Sequence, residues 1–178
     1  MRLFFAIPLT DSVREWINSL RPQLESIPGL SWTPDAHLHV TTLFLGEVAE
    51  EKKPALLEKA RSLFPSMRPF NLTITGLGPS PGRNRAPMVW VYFQNSNAFA
   101  DLGFDLREDF REFVQREETR DPLAHITMAR PLTRELDRNL IPHIKTTTPI
   151  KLEVTALELW STHFGENGAE YEMLERFV

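Results

Sequence analysis

The chain of 178 residues has no cysteine, no excess of positive charge and no long apolar run. The lack of cysteine excludes a disulfide framework, a thiolate metal site and a cysteine nucleophile. The apolar run near the N-terminus ends at Pro8, far short of the ~18 residues that a membrane-spanning helix needs, and no signal-type cleavage site follows it. We therefore predict a soluble, cytoplasmic protein that does not associate with a membrane.

The charge balance limits how the protein can meet nucleic acid. Lys and Arg number 20 against 24 Asp and Glu, which gives a net charge of −4. Any contact with nucleic acid must therefore come from a local basic patch rather than from the field of the whole molecule. The 42% apolar content is enough to bury a core, and the length fits one domain, residues 1–178, built of two small lobes.

A His-x-Thr tripeptide occurs twice, at His39 and Thr41 and again at His125 and Thr127. Each copy opens a run of strand-forming residues, HVTTLFLG in the first case and HITMAR in the second. Since residues i and i+2 of a strand point to the same face, each copy presents an imidazole and a hydroxyl side by side. Two copies that face each other would surround one small anion with two titratable rings and two hydroxyl donors.

The rest of the pattern predicts strands that alternate with helices. Helices are predicted from a capping box of Ser12 and Glu15, after Pro54, near Ser96, and over residues 134–144. Pro22 is expected to end or kink the first helix. Alternation at Ile150, Leu152 and Val154 changes phase near Ala156, which a β-bulge or a strong twist would explain. Both halves then follow the order strand, helix, motif strand, helix, strand, which indicates a structural duplication.

These residues resemble a known family. The opening RLFFAI, the motifs HLHVTTLFLGEV and AHITMAR, and the closing spacing of Gly168, Tyr171, Leu174 and Phe177 are similar to those of the two-histidine phosphoesterases. Within that family they resemble the bacterial and archaeal RNA 2′,3′-cyclic phosphodiesterases, historically called 2′-5′ RNA ligases. The family has an aliphatic residue where this chain has Thr42, which is β-branched and still fits a strand. The resemblance implies an α+β fold of two pseudo-symmetric lobes, each an antiparallel sheet backed by helices, around a central cleft.

The chemistry of a cyclic phosphodiester explains the residue types. Water attacks phosphorus while a base takes its proton and an acid protonates the departing ribose oxygen, and imidazole, with an ordinary pKa of about 6.5, suits both tasks. Thr41 and Thr127 would donate hydrogen bonds to the nonbridging oxygens, and no metal or other cofactor is required. The resemblance implies that His39 donates the proton and His125 accepts it, with the roles exchanged in the reverse, ligating direction. The residues alone leave that assignment open.

Other candidates carry weaker signals. His37 and His39 could form a metal pair, but no third ligand stands at a recognisable spacing, so we expect His37 to be a non-catalytic strand residue. We expect His143 and His163 in solvent, with contact to a substrate as the alternative for His163. We expect Phe5 in the core, with stacking on a base as the alternative. Arg83 and Arg85 either guide an RNA end or solubilise a loop. Arg130 is a candidate phosphate contact, although strand alternation places it on the face opposite His125 unless the strand twists or ends first.

We predict that the protein hydrolyses terminal 2′,3′-cyclic phosphates on RNA or oligonucleotides, with reversible 2′-5′ ligation at the same site. Its partners are then RNA ends, and we expect a monomer. One alternative is a related enzyme that acts on a small cyclic nucleotide such as ADP-ribose cyclic phosphate. Another is a non-catalytic protein that binds RNA ends.

Overall fold

A computed structural model describes residues 1–82, 86–115, 121–165 and 168–178. The strands are β1 (Arg2–Pro8), β2 (Leu30–Trp32), β3 (His39–Glu47), β4 (Phe70–Pro79), β5 (Val89–Phe93), β6 (His125–Pro131), β7 (Ile144–Val154), β8 (Leu157–Gly165) and β9 (Gly168–Phe177). The α-helices of the described ranges are α1 (Asp11–Leu24), α2 (Lys53–Leu63) and α3 (Asn97–Asp109). The predicted α+β class is confirmed.

The strands form one antiparallel sheet rather than two separate ones. Its order is β7-β4-β5-β6-β3-β1-β8-β9, and β2 pairs with β6 outside this path. The motif strands β3 and β6 lie side by side in the middle, where Val40 opposite Ile126 is the register pair that joins the two halves of the sheet. The two His-x-Thr copies therefore meet at the centre of the molecule.

The helices bury apolar side chains against one face of this sheet. Their members of the main core are Val13, Ile17 and Leu24 of α1, Leu56 and Ala60 of α2, and Phe99 and Leu106 of α3. Phe5 is fully buried in the same core, which confirms the expectation that it packs there. A smaller cluster of Phe4, Ala6 and Trp160 lies on the opposite face. That second face carries the motif side chains, and we call it the catalytic face.

Three predicted features of the chain path were wrong. The segment predicted as a helix over 134–144 forms a turn and a short 3₁₀ segment, and its last residue, Ile144, begins β7. The Asp137 side chain accepts a hydrogen bond from the backbone N–H of Asn139 and stabilises the turn locally. The phase change near Ala156 is the reversal between β7 and β8, not a bulge within one strand. Helix α1 begins after Thr10, and Ser12 provides no capping hydrogen bond.

Thr42 has a structural task in the first motif strand. It lies at a register shift of β3, because Ala6 pairs with Thr41 and Phe5 pairs with Leu43. Its buried hydroxyl donates to the Phe5 carbonyl at 3.1 Å. The polar side chain at this position therefore satisfies a carbonyl beside a β-bulge, where an aliphatic residue would provide no donor.

Candidate active site

Both motif histidines are held by the same backbone contact. Nδ1 of His39 lies 2.7 Å from the carbonyl oxygen of His37, and Nδ1 of His125 lies 2.8 Å from that of Leu123. A carbonyl oxygen only accepts, so Nδ1 carries the hydrogen and donates in each case. In the neutral ring this leaves Nε2 as a proton acceptor. Each ring is thus fixed in a tautomer whose Nε2 carries no hydrogen and can accept a proton.

The two threonines take equivalent places on the motif strands. Counting outward from Val40 opposite Ile126, antiparallel register sets Thr41 across from His125 and Thr127 across from His39. Both threonines are partly buried. Within the described part of the chain neither hydroxyl bonds to protein, so both remain available to a ligand. The structure thus brings together the four motif residues that the sequence predicted.

Arg130 lies on the catalytic face, because the strict alternation that would have placed it opposite His125 is broken. Strand β6 contains a bulge: Ala129 pairs with Val89 and Thr127 pairs with Trp90, which leaves Met128 without an opposite residue. Met128 and Ala129 are both fully buried in succession. The extra residue reverses the alternation, and the Arg130 side chain emerges on the same face as that of Thr127.

The guanidinium of Arg130 is held by neutral groups close to both histidines. Its Nη2 donates to the Tyr171 hydroxyl at 3.1 Å, and its Nη1 donates to the Thr33 hydroxyl at 3.4 Å. Its positive charge contributes to lowering the pKa of His39 and of His125. The arrangement brings one permanent cation to the two imidazoles, as the binding of an anion requires.

His39 is enclosed by aromatic rings. Its ring centroid lies 4.9 Å from that of Phe4, 5.7 Å from that of Trp160 and 5.5 Å from that of Tyr171. This burial lowers the pKa of His39 from 6.5 to about 4, against the opposing effect of its hydrogen bond to His37. The uncomplexed ring is therefore neutral at physiological pH.

His125 has a single close aromatic neighbour among the described residues. The Trp90 ring stacks on it with centroids 3.6 Å apart and planes inclined by 16°. Burial lowers the pKa of His125 as well, against its hydrogen bond to Leu123. On β5, Trp90 pairs with Thr127 and Tyr92 pairs with His125. Since paired residues share a face of the sheet, both aromatic side chains lie on the catalytic face.

The other sequence candidates take different places. His37 is in a 3₁₀ turn rather than a strand, and its ring packs 5.7 Å from that of Tyr171 at the edge of the site. His143 is exposed, as expected. His163 lies on β8 instead of in a turn; its side chain is 52% exposed and stands near Glu172. Arg83 and Arg85 lie outside the described residues.

Sequence reasoning missed the aromatic residues that surround the histidines. Trp90 lies on β5, and nothing local in the sequence identifies the strand that pairs with it. Tyr171 belongs to the closing spacing that carried the family resemblance, yet nothing local in the sequence places it beside Arg130.

In the described ranges no group of three His, Cys, Asp or Glu side chains is arranged to hold a metal ion. Nor does any described helix have the length and apolar character needed to cross a membrane.

The chain belongs to the 2′-5′ RNA ligase superfamily, whose family model matches residues 9–166. The RNA 2′,3′-cyclic phosphodiesterase of Archaeoglobus fulgidus is 30% identical over 130 residues, which cover 73% of this chain and 72% of the relative. The protein of the same name from Methanothermobacter thermautotrophicus is 26% identical over an alignment of 181 residues, covering 99% of this chain and 98% of the relative.

Two solved structures have the same fold as this chain. The protein TT0787 of Thermus thermophilus superposes with a TM-score of 0.82 at 27% identity, and the match covers 99% of this chain and 97% of that one. Escherichia coli LigT complexed with 3′-AMP gives a TM-score of 0.75 at 27% identity, covering 99% of this chain and 96% of that one. The family resemblance predicted from the motifs is confirmed.

Proposed function

We propose that the protein hydrolyses a 2′,3′-cyclic phosphate at the end of RNA or an oligonucleotide to a 2′-phosphomonoester, without a metal or another cofactor. The observation that carries this proposal is the matched pair of imidazoles. Each Nδ1 is held by a carbonyl two residues earlier, which leaves two Nε2 atoms for proton transfer beside the cationic Arg130. The names of the relatives from Archaeoglobus fulgidus and Methanothermobacter thermautotrophicus support the same activity.

In the proposed reaction, water attacks phosphorus; a P–O bond to the water oxygen forms and the P–O3′ bond breaks. His125 accepts the water proton on Nε2, while His39 donates a proton from Nε2 to the departing O3′. Thr41 and Thr127 donate hydrogen bonds to the nonbridging oxygens, and Arg130 pairs with their negative charge. The products are a 2′-phosphate and a free 3′-hydroxyl.

Ligation needs only an RNA 5′-hydroxyl in place of water. Because the P–O3′ bond breaks in both reactions, the histidines keep their roles when a 2′-5′ linkage forms. They exchange roles when such a linkage is broken. The expectation that the histidines exchange roles for ligation therefore does not hold, since the same P–O3′ bond breaks in hydrolysis and in ligation.

The pKa values of the free protein set a condition on this division of roles. With a pKa of about 4, His39 carries no proton to donate at neutral pH. A phosphate anion between the rings favours both imidazolium forms and raises both pKa values. His39 can therefore carry a proton in the complex. That His39 rather than His125 donates it is what the family resemblance implies.

One assay tests the proposal against its alternatives. The protein is incubated with an oligonucleotide that ends in a 2′,3′-cyclic phosphate, with the same oligonucleotide ending in a 3′-phosphate, and with ADP-ribose cyclic phosphate. We expect turnover of the cyclic oligonucleotide alone, at the same rate with and without EDTA. Turnover of the small nucleotide alone would indicate the alternative enzyme, and binding without turnover would indicate an RNA-end binder. Loss of activity in EDTA, restored by Zn²⁺ or Mn²⁺, would contradict the metal-independent mechanism.

A further inference from the structure

Arg130 and Tyr171 connect distant strands across the catalytic face. Arg130 is on β6 and Tyr171 is on β9, and the strands β3, β1 and β8 lie between them in the sheet. In a flat sheet, four strand spacings would separate β6 from β9 by about 19 Å. The observed hydrogen bond, 3.1 Å from Nη2 to the phenolic oxygen, therefore needs long side chains and a sheet that curls around the site.

The second contact of Arg130 comes from a third part of the chain. Its Nη1 donates to the hydroxyl of Thr33, and that hydroxyl donates to the carbonyl of Thr127 at 3.0 Å. Both groups that hold the guanidinium are uncharged, and no carboxylate in the described ranges pairs with it. Its full charge is therefore directed by hydrogen bonds and is not neutralised, which suits the binding of an anion.

Tyr171 is itself fixed in place by rings. Its ring meets that of His39 edge-on at 5.5 Å, that of His37 at 5.7 Å and that of Phe4 at 5.6 Å. A hydroxyl on a ring packed in this way has little freedom to follow a moving partner. It provides a fixed point to which a long, flexible arginine side chain can be anchored.

We propose that Tyr171 is a positioning residue, which holds the Arg130 guanidinium beside the two histidines so that the site for a phosphate anion exists before the ligand arrives. The identity of that anion as a cyclic phosphate rests on the proposed function, whereas the positioning does not. Preorganisation of this kind improves binding because the side chain is ordered in advance.

Two measurable effects follow from loss of the Tyr171 hydroxyl. The guanidinium loses one of its two anchors, so phosphate binds more weakly. Because the charge of Arg130 contributes to lowering the pKa of His39 and of His125, its displacement raises both pKa values in the free protein. A purely structural role of Tyr171 would not raise the two pKa values together.

The test is a titration of Tyr171→Phe with inorganic phosphate, followed by the NMR signals of the His39 and His125 rings. We expect binding about 3- to 10-fold weaker than in the wild type, the effect of one hydrogen bond. Both rings should also titrate at higher pH without phosphate. Tyr92→Phe is the matched control, since Tyr92 is the other tyrosine of the chain and its hydroxyl donates to the Pro79 carbonyl. It should change neither quantity.

A double-mutant cycle shows whether Tyr171 acts through Arg130. In an Arg130→Ala background, Tyr171→Phe should cause no further loss of phosphate affinity. If Arg130→Ala does not fold, Arg130→Lys serves, since it keeps the charge but lacks the planar fork. Equal losses in both backgrounds, or unchanged phosphate affinity in Tyr171→Phe, would overturn the proposal. Failure of the proposed function would instead appear as absent turnover of cyclic phosphate by the wild type, with these titrations unaffected.

Discussion

The two His-x-Thr copies share one backbone contact but differ in what surrounds them. In both, Nδ1 donates to the carbonyl two residues earlier, at 2.7 Å for His39 and 2.8 Å for His125. His39 is enclosed by several aromatic rings, whereas one tryptophan, Trp90, stacks on His125. This repeated backbone contact fixes the tautomer and orientation of both rings. The surrounding side chains, which are not repeated, determine how far burial lowers the pKa of each ring. Packing therefore places two equivalent side chains in unequal surroundings.

The largest expected effect on kcat comes from the removal of either imidazole ring. His39→Ala and His125→Ala should each lower kcat by ~10²- to 10⁴-fold, because each deletes one proton-transfer partner. Steady-state kinetics on the cyclic-phosphate oligonucleotide measure the effect, and melting curves check that the fold is kept. If one variant kept nearly full activity, that histidine would be neither the acid nor the base, and only one of the two rings would take part in proton transfer.

The second effect concerns the pH dependence of stability. His39 has a pKa of about 4 when folded against 6.5 when unfolded, so the unfolded chain takes up a proton as the pH falls from 6.5 to 4. Stability should be lost over that window, by roughly 3 kcal/mol at most, and should not depend on this ring above pH 6.5.

Denaturant unfolding at several pH values tests this expectation. His39→Gln should flatten the slope between pH 6.5 and 4, because the titrating ring is gone. His163→Gln is the matched control, since the His163 side chain is 52% exposed, and it should leave the slope almost unchanged. An equal slope in His39→Gln and the wild type would show that the burial of His39 does not hold its pKa down.

A smaller loss of kcat/KM is expected when either motif threonine is replaced, and the loss should be the same for both. Thr41→Val and Thr127→Val each remove one hydrogen bond to phosphate while keeping strand propensity, so kcat/KM should fall about tenfold in each. The matched control is Thr42→Val, which removes the bond to the Phe5 carbonyl and should lower the free energy of unfolding by about 1–3 kcal/mol with little change in kcat. Unequal losses for Thr41 and Thr127 would show that the asymmetry extends beyond the rings.

The smallest effect is on the pKa of each histidine, and it shows which aromatic ring controls that pKa. Trp160→Leu admits water to His39 and should raise the pKa of that ring toward 6.5, while Trp90→Leu should do the same for His125. NMR titration of each ring gives the result. Each substitution should act mainly on its own histidine. If both variants raised the pKa of the same ring, local packing would not be the origin of the difference.

The sequence predicted most of the site because the relevant signals are local. Period-two alternation was sufficient to place His39 with Thr41, and His125 with Thr127, on one face. Arg130 was misplaced because the bulge at Met128 depends on pairing with β5, which no local pattern records. The single-domain, two-lobe organisation of residues 1–178 and the cytoplasmic location stay predictions.

The helix predicted for residues 134–144 shows a second limit. Apolar Leu136, Leu140 and Ile144 have helical spacing, but the local bond at Asp137 and the strand pairing of Ile144 with Leu77 decide the structure. The contact of Tyr171 with Arg130 joins residues 41 positions apart, and it depends on the curl of the whole sheet. Contacts of this kind follow from topology rather than from sequence pattern.

The pH dependence of kcat/KM in the wild type and the two histidine variants tests the unequal acid and base most directly. Since burial lowers both pKa values in the free protein, to about 4 for His39, the wild type should give a bell with its maximum below pH 6.5. With His125 as the base, His125→Ala should lose the acid limb from its residual activity, and His39→Ala should lose the alkaline limb. Loss of the same limb in both variants would contradict the division of labour between the two rings.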